Sequence, residues 1–124
     1  MKWLTRGMVE AFHQESLARY GGAEGMRDEG LLESALARPE NIHVYETESD
    51  LFRLATAYCA GIIKNHPFVD GNKRTGVLSA VVFLALNGII TKFNESSIVA
   101  MVLGLAAGEI GEEEFSNWLR DAAG

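Results

Sequence analysis

The chain has 124 residues, 48% of them apolar, and a formal net charge of −6 from 17 acidic and 11 basic side chains. That length suits a single domain, residues 1–124, able to bury a proper core, and the acidic balance excludes a surface that holds nucleic acid by counterion release. A single cysteine, Cys59, excludes an internal disulfide and points to a reducing, cytoplasmic setting; Met1 to Met8 lacks the apolar stretch of a signal peptide, and the longest apolar run, Gly76 to Leu86, is too short to span a membrane.

Every sustained pattern has helical period, so the expected fold is all-α, a compact bundle of about six helices around a central apolar helix. Thr5 to Arg19 turns Met8, Val9, Phe12 and Leu17 to one side and stops at Tyr20-Gly21-Gly22. Asp28 caps a short helix carrying Leu31, Leu32, Ala35 and Leu36, which Pro39 closes. Residues 40–48 have no period and read as an exposed loop or small hairpin. Ser49 or Asp50 caps a strong amphipathic helix from Leu51 to Asn65, in which Cys59 reads as a core thiol. The next run, Arg74 to Asn87, is apolar on every side and is expected at the centre of the bundle. Asn87-Gly88 ends it, Ile89 to Phe93 is read as briefly extended, and Asn94 or Ser96 starts a fifth helix. Gly111 precedes the last one, whose Glu112, Glu113 and Glu114 suit the helix dipole.

The segment from His66 to Arg74, His-Pro-Phe-Val-Asp-Gly-Asn-Lys-Arg, carries the candidate chemistry. Lys73 and Arg74 sit at the start of a helix, where the dipole disfavours cations unless an anion lies between them. Phosphate fits that space, although a solvated surface pair would use the same residues. Gly71 and Asn72 tolerate positive φ and let consecutive N–H groups converge on an anion. Asp70 is either the helix N-cap or, beside phosphates, a carboxylate for Mg²⁺. His66 is the candidate general base, since an imidazole can take a proton from an incoming hydroxyl. Phe68 and Val69 are expected to anchor the loop in the core, and Lys64 is either a further cation at the site mouth or an ordinary helix-end lysine. Base, carboxylate, nest and two cations together suit transfer from a nucleotide to a hydroxyl.

These residues resemble a known family. His66 to Gly76 resembles the Fic signature HPFx(D/E)GNGRxxR, and more closely the death-on-curing (Doc) branch, HxFxDxNKRT. Arg19-Tyr20-Gly21-Gly22, Gly25-Met26-Arg27-Asp28, Leu51-Phe52, Asn87-Gly88 and Gly108-Glu109-Ile110 resemble that branch in the same order. The resemblance implies a compact Fic/Doc-like helical toxin of a toxin–antitoxin pair, a kinase that uses ATP and Mg²⁺ to phosphorylate a Thr or Ser hydroxyl. The implied target is a translation factor, elongation factor Tu, so translation would stop. Carried over by position, His66 is the base, Asp70 the Mg²⁺ ligand, and Gly71, Asn72, Lys73 and Arg74 the phosphate holders. Residues 40–48 would be the flap that docks the target.

Two departures from the wider Fic pattern bear on the reaction. Lys73 stands where adenylylating members have a second glycine, and Val77 where they have a second arginine. A cation at 73 would crowd a nest that receives the α- and β-phosphates, which favours a reversed nucleotide presenting its γ-phosphate. Adenylyl transfer is the alternative reaction, and a catalytically silent antitoxin-binding module the alternative of a different class. A nuclease is disfavoured by the acidic balance and the lack of interleaved basic and aromatic residues. Fic proteins also carry an inhibitory motif, (S/T)xxxE(G/N); here Thr91 to Glu95 is followed by Ser96, so inhibition is expected in trans from an antitoxin with a disordered tail.

Overall fold

Short polar side chains set most of the helix starts. Thr5, Asp28, Asp50 and Asn94 accept the N–H groups of Met8, Leu31, Arg53 and Ser97, so each satisfies a donor that the first turn leaves free. In the computed structural model, which describes residues 1–124, they begin α1 (Arg6–Tyr20), α2 (Glu29–Tyr45), α3 (Leu51–Asn65) and α5 (Glu95–Ala107). The other two, α4 (Asn72–Leu86) and α6 (Glu112–Ala122), start after Gly71 and Gly111 without a side-chain cap. No strand forms beyond one isolated bridge between Met26 and Phe68. No helix is long and apolar enough to cross a membrane.

The hub is α3, not the all-apolar helix expected there. Every residue from Leu54 to Ile63 is buried, and α2, α4 and α6 pack around it. Small residues make this possible. A Cβ on Gly61 would stand 3.3 Å from the Ala35 Cβ, and one on Gly76 would stand 3.1 Å from the Cys59 carbonyl oxygen, so both neighbours lie almost backbone to backbone with α3. Tyr58, Phe83, Leu32 and Phe115 fill the remaining volume. Cys59 is sealed among them, and burial pushes its thiol well above its ordinary value, which makes it inert. Burial likewise raises the Tyr58 hydroxyl to about 12, and that hydroxyl accepts the Leu4 N–H at 3.1 Å.

Two local expectations give way to tertiary packing. Pro39 does not close α2; the helix runs through it to Tyr45. An internal proline costs about 3 kcal/mol, but its ring is buried, and Leu32, Ala35 and Ile42 on the same helix are buried with it. Residues 40–45 are therefore helical, and only 46–50 form a turn. Ile89 to Phe93 pairs with no strand, although the Lys92 N–H donates to the Ala122 carbonyl at 2.9 Å.

Candidate functional site

The loop between α3 and α4 begins with an uncommon backbone. His66, the C-cap of α3, has φ 51° and ψ 54° and is the only non-glycine residue with positive φ. Such a conformation costs about 1–2 kcal/mol for a side chain with a Cβ. Arg27 holds it there, with Nε donating to the His66 carbonyl at 2.7 Å and Nη2 to the Asn65 carbonyl at 2.8 Å. The His66 side chain itself faces solvent.

The following residues are tied to the segment 21–28. The N–H groups of Arg27 and Asp28 donate to the Pro67 carbonyl, and the Val69 N–H donates to the Gly25 carbonyl at 3.0 Å. Phe68 is buried as expected, whereas Val69 is 47% exposed and does not anchor the loop in the core. Gly22 lies so close that a Cβ there would stand 2.8 Å from Asp70 Oδ2, and the neighbouring Ala23 N–H donates to that same oxygen at 3.2 Å. Gly71 N–H donates to Asp70 Oδ1 at 2.8 Å. Asp70 is therefore not the N-cap of α4. The hydrogen bond from Ala23, then that from Gly71, with the Arg74 charge adding to them, holds its carboxyl below the usual carboxylate range.

Gly71 takes the left-handed conformation, φ 79° and ψ 16°, and starts α4. No protein acceptor meets the N–H groups of Asn72, Lys73 and Arg74, which point out of the helix end as an anion site requires. The Asn72 side chain is turned the other way. It is buried, its Oδ1 accepts the Phe68 N–H at 3.0 Å and its Nδ2 donates to the Phe68 carbonyl at 2.9 Å, so only the backbone of Asn72 can meet a phosphate. The two cations differ as well. Both are exposed, but Arg74 lies over the Tyr20 ring at 5.2 Å and donates to the Gly21 carbonyl at 3.0 Å, whereas the Lys73 side chain makes no hydrogen bond or ion pair.

Both cations also line a cavity of about 530 Å³ between α1, α4 and α5. Its floor is Val77, Leu78, Val81, Ile98 and Val102, and Ser16 on its wall has a buried hydroxyl without a partner. The expected site residues His66, Asp70, Gly71, Lys73 and Arg74 thus gather on one loop and the first turn after it. Two others lie elsewhere. Lys64 pairs with Glu112 at 3.4 Å, and the segment expected to be the flap, 40–48, forms the end of α2 and a turn beside Arg53 and Arg120. The strip that borders the loop is 21–28; its three glycines, Gly21, Gly22 and Gly25, were the available signal. His13, which bonds the Asp70 carbonyl, had none.

No three His, Cys, Asp or Glu side chains lie together so that they could hold a metal ion. Asp70 is a single ionised carboxylate beside free N–H groups and two cations, which fits a divalent cation that takes one protein carboxylate and completes its shell with phosphate oxygens and water. A cation that needs three protein ligands does not fit.

A model of the Fic/DOC family matches residues 3–84. The chain is 35% identical over 120 residues to the protein kinase doc of Escherichia phage P1, covering 97% of this chain and 94% of that one. It is 39% identical over 71 residues to Toxin Doc of Mycolicibacterium smegmatis (strain ATCC 700084 / mc(2)155), covering 56% and 55% of the two.

Proposed function

We propose, because this chain belongs to the Fic/DOC family, that it is a Doc-type toxin and protein kinase whose 66–74 loop transfers the ATP γ-phosphoryl group to a protein hydroxyl. The similarity to the phage kinase along almost the whole of both chains carries this reading. The target we assign is a Thr or Ser of elongation factor Tu, as the resemblance of the loop to the Doc branch implies, with action in the cytoplasm.

The residues divide the work in the following way. The N–H groups of Asn72, Lys73 and Arg74, with the side chains of Lys73 and Arg74, receive the phosphates and neutralise charge that spreads over them in the transition state. Asp70 would hold Mg²⁺, which supplies further neutralisation on the nucleotide oxygens. His66 accepts the hydroxyl proton as the substrate oxygen bonds to the γ-phosphorus and the bond to the β,γ-bridging oxygen breaks. ADP leaves with that electron pair, and the product is a phosphate monoester. The exposed strip 22–25, beside the loop, would align the target chain.

As a Doc-type toxin it has an antitoxin partner. We assign the antitoxin's tail to the cavity between α1, α4 and α5. A tail folded as an amphipathic helix would cover the apolar floor, give the Ser16 hydroxyl a partner, and lie against Lys73 and Arg74, where it would block nucleotide.

Incubation with cell extract and ATP labelled at either the γ or the α phosphate tests the reaction. Label should reach protein from the γ position alone, and His66→Ala should abolish it without moving Tm. Transfer from the α position would overturn the kinase reading in favour of adenylylation.

A further inference from the structure

One buried polar side chain outside the residues assigned above reaches the loop. His13, on α1, is 2% exposed. Its Nε2 lies 2.8 Å from the Asp70 carbonyl oxygen, and because a carbonyl only accepts, Nε2 carries the hydrogen. Its ring stacks on Phe68 at 3.9 Å between centroids and 9° between planes. A Cβ on Gly71 would stand 3.6 Å from His13 Cδ2, so the ring also backs the left-handed residue that opens α4.

We infer that His13 is a positioning residue for the Asp70 arm of the loop, locking the 70–71 peptide so that the carboxylate and the free N–H groups keep one relative orientation. This rests on the reading of Asp70 as the Mg²⁺ carboxylate. The peptide between Asp70 and Gly71 is held at both ends. Its C=O accepts from His13, and its N–H donates to the Asp70 carboxylate at 2.8 Å. Rotation of that peptide would break both bonds, swing Gly71 out of φ 79°, and move the carboxylate away from the helix end. Glycine at 71 makes such a rotation sterically cheap, so the histidine is what opposes it. Side chains that orient a metal-binding group in this way typically change metal affinity about 10- to 100-fold when removed.

His13→Phe keeps a ring to stack on Phe68 but removes the donor, and His13→Gln keeps a donor without the ring. Mn²⁺ binding in the presence of ATP is read by electron paramagnetic resonance, ATP binding in chelator by fluorescence titration, and folding by Tm. His13→Phe should weaken Mn²⁺ binding about tenfold or more while metal-free ATP affinity stays at wild-type level, and His13→Gln should recover most of the loss. Wild-type Mn²⁺ affinity in His13→Phe would overturn the inference, as would equal losses in both variants, since a restored donor would then recover nothing. Should His13→Phe fail to fold, His13→Gln decides alone: near-native affinity supports the role, and a loss as large as that of Asp70→Asn refutes it. If Asp70→Asn binds Mn²⁺ like the wild type, the reading of Asp70 itself fails, an outcome distinct from a failure confined to His13.

Discussion

Arg27 donates to the backbone carbonyl of His66, the residue assigned as base, and to that of Asn65 just before it. Arg27→Ala should let His66 relax out of its left-handed conformation. Steady-state kinetics with γ-labelled ATP should then show kcat lowered about tenfold, the loss expected when a reacting group is misplaced by a fraction of an ångström, with KM for ATP nearly unchanged; a loss confined to KM would contradict that role. The residue types of the 66–74 segment were legible in the sequence because their chemistry is local. Their directions were not. An asparagine that bonds its own loop, as Asn72 does with Phe68, has the same sequence signature as one that faces a ligand. Asp70 read equally well as a cap, and only the Gly71 N–H and the Ala23 N–H on its oxygens decide otherwise. The contacts of His13 and Arg27 with the loop were not legible, since they span 57 and 39 residues of chain, and a lone histidine on an amphipathic helix gives no periodic signal.

Among the elements, α4 shows where hydrophobic pattern misleads. A helix that is apolar all round is expected at the centre, yet Val77, Leu78 and Val81 are only half-buried and form the floor of the cavity beside α5. An apolar side that lines a cavity and one packed into the core look alike in sequence. The true hub, α3, looked merely amphipathic because its other faces carry Ala, Gly, Thr and Cys, small residues whose value lies in close approach rather than in hydrophobicity. If the cavity seats the antitoxin, Leu78→Glu should weaken its binding in calorimetry by about 30-fold, as for a central contact worth about 2 kcal/mol. Kinase activity of the free toxin should persist. Unchanged antitoxin affinity would move the partner to another face.

Cations from two helices converge on one carboxylate of a third. Glu112 at the start of α6 accepts from Arg38 of α2 at 2.8 Å and from Arg53 and Lys64 of α3 at 3.0 and 3.4 Å. Partial burial alone would raise its pKa, but the Arg38 hydrogen bond and then the charges of Arg38, Lys64 and Arg53 outweigh that and lower it. A carboxylate lowered on folding stabilises the native state above its unfolded pKa and loses that contribution as pH falls through the folded value. Glu112→Gln should therefore lower stability at pH 7 by about 1–2 kcal/mol, measured by urea unfolding. The gap to wild type should close from about pH 5 downward; a constant gap would show that the charge is not responsible. The same architecture has a consequence for the order in which the protein forms. The site loop is the turn of the α3–α4 hairpin, two consecutive helices in close contact, and such sequence-local pairs form early and quickly. Its braces, His13 and the 21–28 strip, come from far along the chain and arrive only when α1 docks. A chain in which α3 and α4 have paired before α1 docks therefore has the loop without the contacts that hold its shape.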